Sequence, residues 1–301
     1  MFPVDEQLKI GLVGAGPWAR AVHAPGIADH PGTRLAAVWA RRRDAAKDLA
    51  EPHGALTADS FDELLSTVDA VAFAVPPAVQ GDLALQAARA GKHLVLEKPL
   101  AANVEQAQRL VDEVTDRGLA SLLLLTRRYS PEVRDWLAGL HKLGGWTGGS
   151  VRWLTGAVLG GPYSASPWRQ TDGAVLDIGP HAIDLLDAAL GPVQEVIAAH
   201  RGPDDLCHLV LGHEGGASST LTLSLRLPIQ PSVVDIAVYG QHGHRALGSG
   251  EFSAQDCFTA LLDEFLALID CGRTEHPCDV RRGLHLQRVL DEIIQRAGWV
   301  A

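Results

Sequence analysis

Two groups in this sequence could carry electrostatic or acid–base chemistry, and the first is a lysine. Lys98 follows the apolar run 93–96 and precedes Pro99, which cannot continue the hydrogen-bond ladder of a strand. The strand therefore ends at Lys98, and in an open α/β sheet the carboxyl ends of the strands form the edge where ligands bind. An ammonium there could stabilise negative charge that develops on a substrate oxygen. The alternative interpretation is a solvated pair of Glu97 and Lys98 at a strand end.

The second group is a histidine flanked by two carboxylates, in the pattern Asp177, His181, Asp184. This spacing places all three on one stripe of a helix, which should begin near Asp177 because Pro180 is tolerated only in a first turn. A histidine held between carboxylates keeps one tautomer and can donate or accept a proton near neutral pH. The alternatives are ordinary polar pairs on a helix, or a pair of metal ligands. No third ligand is evident from the spacing, so no metal site is predicted.

A glycine-rich turn near the amino terminus predicts a dinucleotide site. The apolar run 8–13 has the composition of a strand, residues 14–19 read Gly-x-Gly-x-x-Ala, and a helix-compatible segment follows. In this motif Gly14 allows the tight turn, Gly16 lets a pyrophosphate approach the backbone, and Ala19 lets helix and strand pack closely. Free N–H groups at the helix start can then bind the phosphates. A plain glycine-rich turn is the alternative interpretation.

The end of the next predicted strand, residues 34–39, indicates which dinucleotide is bound. An NAD-binding domain has an Asp or Glu there, whereas this chain has Ala40 followed by Arg41, Arg42 and Arg43. Guanidinium groups suit a 2′-phosphate, so NADP(H) is favoured over NAD(H). Alternatively, the arginines only solvate the start of a helix, with Asp44 further on. Cofactor contacts are predicted for Gly14, Gly16, Pro17, Trp18, Ala40, Arg41, Arg42, Val75, Pro76, Glu97 and Lys98.

These residues require a fold that brings strand ends together, and the hydrophobic pattern predicts one. Strands alternate with helices up to residue 126, which is typical of a doubly wound parallel α/β sheet. From about residue 150 strands follow one another, and residues 221–227 alternate strictly between apolar and polar. We therefore expect a dinucleotide-binding domain over 1–126 and a substrate-binding and oligomerisation domain over 127–301. The second should hold an open, mostly antiparallel sheet and two carboxyl-terminal helices, near 258–269 and 284–296.

Length and composition limit the class of protein. The 301 residues suffice for about two domains, and 47% hydrophobic with 21% charged residues is typical of a folded chain. A formal net charge of -10 argues against nucleic acid or an anionic membrane as partner. The acidic amino terminus lacks a signal-peptide layout and no apolar run nears the length of a membrane span, so a soluble cytoplasmic protein is expected. The four cysteines form no CxxC pair, so reduced thiols are expected.

The glycine-rich fingerprint, the Glu-Lys-Pro tripeptide and the Asp-x-x-x-His helix occur in one order along the chain. In this order and in these residues the chain resembles the Gfo/Idh/MocA family of NAD(P)-dependent oxidoreductases. The likeness covers nearly the whole chain and includes residues 14–16, 69–77, 91–99, 128–129, 168–169 and 177–184. The chain departs from the family pattern at Gln80, where many members have His, and at residues 172–174, which replace a more glycine-rich turn.

The resemblance implies a Rossmann domain joined to an α/β domain with an open sheet, in a homo-dimer or homo-tetramer. It implies that Lys98 contacts the reacting oxygen, that His181 is the general acid/base, and that Asp177 supports both the substrate and the histidine. A cis peptide bond between Lys98 and Pro99 is also implied. Asp184 either supports this group or is structural.

The expected function is reversible hydride transfer between NADP(H) and a carbon that bears a hydroxyl or oxo group, on a sugar, cyclitol or related polyol. Two alternatives remain open. One is a dinucleotide-binding sensor or scaffold that does not catalyse, which would have no need of Lys98, Asp177 and His181. The other is an enzyme that acts on an imine or a C=C bond. Substrate contacts are predicted for Arg128, Trp168, Arg169, Asp177 and His181. The alternative for Arg128, Trp168 and Arg169 is a place at the interface between the domains.

Overall fold

A computed structural model of the chain describes residues 7–164, 166–248 and 253–298. Residues 1–6, on which the expectation of no signal peptide depends, lie outside the described residues. The chain divides into two compact units. The first holds the described residues up to Tyr129 together with Ser253–Gln287, and the second holds those from Ser130 to Gly248 and from Arg288 to Gly298. Within the described ranges, no helix combines the length and apolar composition that a bilayer crossing requires.

The first unit is built on a parallel sheet. Its strands are β1 Leu8–Val13, β2 Thr33–Trp39, β3 Leu56–Thr57, β4 Ala70–Phe73, β5 His93–Leu96 and β6 Ser121–Leu123. These six described strands lie in the order β3-β2-β1-β4-β5-β6, and all neighbours are parallel. Strands β4 and β6 are buried throughout, as expected when helices cover both faces of a sheet. The predicted doubly wound parallel sheet is confirmed.

Five described helices connect these strands. They are α1 Ala24–Asp29, α2 Arg43–Ala50, α3 Phe61–Thr67, α4 Pro77–Arg89 and α5 Val104–Asp116. The Ser60 hydroxyl accepts the N–H of Glu63 at the start of α3, and Asn103 caps α5 in the same way. A π-helical turn, Ala19–His23, precedes α1. Such turns are rare and occur frequently at functional sites.

The two carboxyl-terminal helices are α9 Ala254–Asp270 and α10 Val280–Arg296. The sequence analysis places both in the second domain, whereas α9 and the first part of α10, up to Gln287, belong to the first unit. Phe258 lies 4.8 Å from the ring of His23, and Phe265 meets the ring of His93 edge-on at 6.4 Å. The apolar stripe of α9 is visible in the sequence, but a stripe does not specify which surface it will cover.

The second unit is built on a mixed sheet. Its strands are β7 Trp146–Leu154, β8 Val193–Arg201, β9 Cys207–His213, β10 Ser218–Ser224, β11 Val233–Gly240 and β12 Gly243–Ala246. The described strands lie in the order β12-β11-β7-β10-β9-β8, and each neighbouring pair is antiparallel except β7 and β10. The predicted open and mostly antiparallel sheet is confirmed.

One face of this sheet is covered by a helix. The helices of the unit are α6 Pro131–Leu143, which the sequence analysis does not anticipate, α7 Pro167–Asp177 and α8 Gly179–Leu190. Helix α8 lies directly on β7, because a Cβ at Gly149 would come within 2.9 Å of Leu186 and 3.0 Å of Leu190. On the opposite face of the sheet, Tyr239 remains 41% exposed. The sequence offers no local signal for this close approach.

Lys92, just before β5, and His93, the first residue of β5, hold the amino edge of the first sheet. Lys92 Nζ donates to the carbonyl of Val68 at 2.7 Å, and His93 Nδ1 accepts the N–H of Ala120 at 3.0 Å. Each side chain therefore satisfies a backbone group of a neighbouring segment. Burial lowers the pKa of His93 below its usual 6.5, while the charge of Asp69 partly opposes this shift. The neutral imidazole is the form that can accept the bond from Ala120.

The free energy of unfolding of the first unit is expected to fall as the pH drops below about 6.5. Because the folded pKa of His93 is the lower one, the unfolded chain takes up the proton first, and stability is lost between the unfolded and the folded pKa. His93→Asn keeps an acceptor and removes the titration, so its urea-unfolding energies should depend less on pH. His208→Asn, at an exposed site of β9, is the matched control. Equal pH slopes for wild type and His93→Asn would contradict the prediction.

Candidate active site

The residues predicted to bind the cofactor lie where strands of the first sheet end. The strand order switches direction between β1 and β4, and open α/β sheets bind ligands in the crevice at such a point. The loops after β1, β2, β4 and β5 carry, in this order, residues 14–18, 40–42, 75–76 and 97–98. The fold therefore collects these residues at one edge of the sheet.

Gly14 fixes the first of these loops between the ends of two neighbouring strands. Its φ is +113°, and a Cβ there would lie 2.4 Å from the carbonyl oxygen of Ala74. Its N–H donates to the carbonyl of Trp39 at 2.9 Å. A side chain at this position would clash and strain the backbone, so the glycine is required by the protein's own packing.

Gly16, unlike Gly14, lies in an open environment. A Cβ at Gly16 would meet no atom within 4 Å among the described residues, so packing does not require glycine there. The position lies at the start of the helical segment, where the N–H of Arg20 donates to the carbonyl of Gly16 at 3.1 Å. An open cradle at a helix start fits the pyrophosphate of a dinucleotide, which needs a close approach to the backbone.

Glu97 ties the glycine-rich loop to the end of β5. Its Oε1 accepts the indole N–H of Trp18 at 2.7 Å and lies 2.9 Å from Nε2 of His23. Since an ionised carboxylate can only accept, Nε2 of His23 is the donor. His23 is completely buried, and the sequence analysis misses it because its partner is 74 residues away. Trp18 and Glu97, both predicted to bind cofactor, thus contact each other.

The arginines after β2 differ in their surroundings. Arg43, the first residue of α2, pairs with Asp59, with Nε 2.5 Å from Oδ1. Arg41 and Arg42 are exposed, and within the described part of the chain neither guanidinium group has a hydrogen-bond or ion-pair partner. Ala40 leaves the preceding position without a carboxylate. Two guanidinium groups are therefore available beside the strand end where an adenosine ribose is expected.

Lys98 lies two residues beyond β5 and is partly buried. The peptide bond between Lys98 and Pro99 is cis, as the resemblance implies. Arg128, predicted to contact the substrate, also belongs to the first unit and lies in the 3-10 turn Thr126–Tyr129. The other predicted substrate residues belong to the second unit.

The segment with the histidine is two helices and not one. Helix α7 ends at Asp177 and α8 begins at Gly179, with Ile178 between them. Pro180 has no N–H to donate to the turn before it, which explains the interruption. Its expected place in a first turn is confirmed. His181 and Asp184 share α8, but Asp177 closes the preceding helix, so the predicted single stripe of three residues is wrong.

Three predicted substrate residues form one cluster in the second unit. Arg169 Nε lies 3.1 Å from Asp177 Oδ2, and its guanidinium stacks over the rings of Trp168 and Tyr163 at 4.4 and 4.7 Å. The arginine is therefore held by rings and by a carboxylate together. In the same unit, His181 lies near the indole of Trp153, with ring centroids 6.0 Å apart. The sequence analysis does not anticipate Tyr163 or Trp153. Asp184 is completely buried, which favours a structural role.

A buried carboxylate lies at a break inside α7, where Gly173 has a non-helical backbone conformation. Asp205 accepts the N–H of Ala174 at 2.6 Å and pairs with Arg201 Nη2 at 2.6 Å. Gly173 has a φ of +70°, and a Cβ there would lie 2.4 Å from Asp205 Oδ1, so a side chain would displace the carboxylate. Burial, together with the charge of Asp205, raises the pKa of the Cys207 thiol to about 12. The turn at 172–174 thus belongs to a clamp on α7.

A buried serine, histidine and aspartate also occur in the second unit, but they do not form a nucleophile. Ser219 is completely buried and lies 2.7 Å from His213 Nε2. His213 Nδ1 lies 2.7 Å from the carbonyl oxygen of Gly191 and 3.8 Å, beyond hydrogen-bond distance, from Asp187 Oδ1, which accepts the N–H of Val193 at 2.8 Å. A triad would need the aspartate on the histidine and an accessible hydroxyl. This network instead holds the carboxyl end of α8. A search of the described residues finds no cluster of three metal-ligating side chains.

The parallel sheet, the glycine-rich loop and the lysine beyond β5 define an NAD(P)-dependent oxidoreductase with a Rossmann domain. A sequence profile described as "Oxidoreductase family, NAD-binding Rossmann fold" matches residues 8–123. A second profile, "GFO/IDH/MocA C-terminal domain", matches residues 147–245. The chain belongs to the Gfo/Idh/MocA family of oxidoreductases, as its motifs predict, and is a dehydrogenase or reductase that acts on CH–OH groups.

Known proteins of similar sequence or structure agree with this assignment. The chain is 32% identical over 235 residues to dTDP-3,4-didehydro-2,6-dideoxy-alpha-D-glucose 3-reductase of Streptomyces violaceoruber, covering 72% of this chain and 67% of that one. The fold matches a protein of gentamicin A biosynthesis in complex with NAD, with TM-score 0.85, 20% identity and coverage of 97% and 95%. It also matches a 3-ketoreductase from Actinomadura kijaniata in complex with NADP, with TM-score 0.77, 21% identity and coverage of 97% and 98%.

The two glycines of the loop are expected to respond differently to alanine. Gly16→Ala should not lower the free energy of unfolding but should weaken NADPH binding about tenfold or more, because its Cβ enters the cradle. Gly14→Ala should cost about 1–3 kcal/mol of stability, since it combines positive φ with a clash. Urea unfolding of the apo protein and fluorescence titration with NADPH measure the two effects. Wild-type affinity in Gly16→Ala would contradict the assignment of the cradle.

Proposed function

We propose that this protein transfers a hydride between NADP(H) and a hydroxyl- or oxo-bearing carbon of a sugar, cyclitol or related polyol. The observation that carries the proposal is the place of Lys98, directly after Glu97, whose carboxylate is bonded to the glycine-rich loop through Trp18 and His23. A cation is thereby linked to the loop that would hold the dinucleotide. The relative from Streptomyces violaceoruber reduces an oxo-sugar, as its name states, which supports a substrate of this class.

The chain's own residues would complete the reaction. When bound, the nicotinamide supplies or accepts the hydride. His181 would take the hydroxyl proton during oxidation and return it during reduction. Lys98, as a cation, would stabilise negative charge on the substrate oxygen. Asp177 would orient the histidine and the substrate.

The contacts of Arg169 support its predicted role in substrate binding. Its guanidinium is fixed by the rings of Trp168 and Tyr163, so it holds the Asp177 carboxylate from a defined position. Planar guanidinium and carboxylate groups offer the donors and acceptors that a polyol needs. Arg128 is a further proposed donor to the substrate.

Lys98→Ala and His181→Asn are each expected to lower kcat by about 100-fold or more, because each removes a charge or proton transfer in the transition state. The purified protein is mixed with NADP+ or NADPH and with polyols, cyclitols and free or nucleotide-linked oxo-sugars, and nicotinamide absorbance is followed. Lys142→Ala and His244→Asn, both at exposed positions, serve as matched controls. Full turnover in His181→Asn would exclude its assigned role. NADPH binding without turnover on any compound would favour a non-catalytic sensor or scaffold.

The preference for NADP(H) over NAD(H) is part of the proposal. Two observations support this preference. Arg41 and Arg42 are exposed and their guanidinium groups have no partners among the described residues, and position 40 is an alanine and not a carboxylate. A 2′-phosphate could accept charge-assisted hydrogen bonds from both guanidinium groups. Solved structures of similar fold hold NAD in one case and NADP in another, so the fold alone does not determine the choice.

Wild-type protein is expected to bind NADPH more tightly than NADH. Arg41→Ala and Arg42→Ala should each weaken NADPH binding about 10- to 100-fold, the effect of one charge-assisted bond, and leave NADH binding nearly unchanged. Arg43→Ala is the matched control, because Arg43 pairs with Asp59. Dissociation constants from fluorescence titration decide the question, and tighter binding of NADH by the wild type would overturn the preference.

Assembly as a homo-dimer or homo-tetramer in the cytoplasm also belongs to the proposal. The sheet of the second unit exposes Ile197 and Tyr239 on the face opposite α8, where another copy of the chain could pack. Sedimentation velocity measures the number of chains.

A further inference from the structure

Gln80 is completely buried near the start of α4, and its carboxamide is bonded to the segment that carries Lys98. Its Oε1 accepts the N–H of Glu97 at 2.8 Å, and its Nε2 donates to the carbonyl of Glu97 at 2.7 Å. Nε2 also lies 3.0 Å from the carbonyl oxygen of Leu100 and 3.3 Å from that of Pro99. One side chain therefore holds the backbone on both sides of Lys98.

The paired strand β4 does not supply these bonds. The ladder between β4 and β5 ends at the pair Ala72 and Val95. The chain after β4 then reaches Pro76 and Pro77, which have no N–H to donate. Buried backbone groups need hydrogen-bond partners. The carboxamide of a glutamine can replace a peptide group as partner, because it carries an acceptor oxygen and two N–H donors. Gln80 thus extends the hydrogen bonding of β5 past the end of β4.

We propose that Gln80 is a positioning residue for the reaction: by holding the backbone from Glu97 to Leu100, it places the ammonium of Lys98. The inference rests on the role of Lys98 in the proposed function. A lysine has a flexible four-carbon stem, so its ammonium has a defined position only when the backbone that carries it is held. Catalytic geometry is sensitive enough for this to matter, since a displacement of about 1 Å can lower a rate about 100-fold.

A second buried glutamine provides a matched control. Gln106 is 6% exposed, its Oε1 accepts the N–H of Ala102 at 2.9 Å, and its Nε2 donates to Asp82 at 2.6 Å. Gln106→Met therefore removes buried hydrogen bonds from the same unit without removing a bond to residues 97–100. Loss of stability alone should be similar in Gln106→Met and Gln80→Met.

The first measurement compares kcat and dinucleotide affinity in the folded variants. Gln80→Met keeps the length of the side chain and removes all four contacts, and it is expected to lower kcat about 10- to 100-fold. Its dissociation constant for NADPH should change by a smaller factor than kcat, because Gln80 is linked to the glycine-rich loop only indirectly, through the backbone of Glu97. Gln106→Met should keep the kcat of the wild type. An unchanged kcat in Gln80→Met, with a substrate that the wild type turns over, would overturn the proposal.

A second variant gives a signature that a merely structural role would not produce. In Gln80→Glu, a neutral carboxyl can donate its O–H to the carbonyl of Glu97 and accept the N–H of Glu97, so two central bonds remain. The ionised form cannot donate and faces a carbonyl oxygen. The ratio of its kcat to that of the wild type should therefore fall as the pH rises, with a titration raised above the usual range for Glu by burial. The corresponding ratio for Gln80→Met should be independent of pH.

Hydrogen exchange tests the contact between Gln80 and the backbone of residues 97–100 without a need for turnover. The N–H of Glu97 is bonded to Gln80 Oε1, so its exchange should be about tenfold faster in Gln80→Met and unchanged in Gln106→Met. Unchanged exchange at Glu97 would overturn the proposal. Wild-type protein without turnover on any compound would overturn the proposed function, while faster exchange at Glu97 would still support the clamp on the Lys98 segment.

Discussion

Buried backbone groups at the carboxyl ends of parallel strands need hydrogen-bond partners after the ladder between the strands has ended, and the first unit depends on how they are supplied. After β4 the chain continues with Pro76 and Pro77, which bring no N–H group. The carboxamide of Gln80 takes their place on the backbone of Glu97. The carboxylate of Glu97 in turn anchors the glycine-rich loop. The side chains of Gln80 and Glu97 therefore connect the glycine-rich loop to the segment that carries Lys98.

In the second unit a charged side chain supplies the hydrogen-bond partner of a buried backbone group. Asp205 accepts the backbone N–H of Ala174 and is itself paired with Arg201 inside the unit. This carboxylate fits only because Gly173 has no Cβ. The contact with Asp205 holds the break that Gly173 makes inside α7, and the end of α7 is defined by the proline that follows. The residues between these two positions, 174–177, form the last turn of α7 and end at Asp177. His181 follows in the next helix, α8.

The continuous motif from Lys92 to Lys98 spans β5 and places residues at both edges of the first sheet. Lys92 and His93 satisfy backbone groups of neighbouring segments at the amino edge. Glu97 and Lys98 stand at the opposite edge, where the ligand is expected. His93 and Glu97 are four residues apart, which corresponds to about 13 Å at about 3.3 Å per residue. Adjacent residues of one motif therefore have unrelated physical roles, and only those at the carboxyl edge are candidates for chemistry.

The sequence by itself determined the alternation of strands and helices and the places of Lys98 and Pro180, because period, proline and glycine act over a few residues. The tertiary structure alone decided which side chains hold these residues. His23 meets Glu97 across 74 residues of chain, Asp205 accepts the N–H of Ala174 from 31 residues away, and α9 belongs to the first unit. Such pairings depend on where distant segments meet, and a local pattern carries no information about the partner of a buried polar group or an apolar stripe.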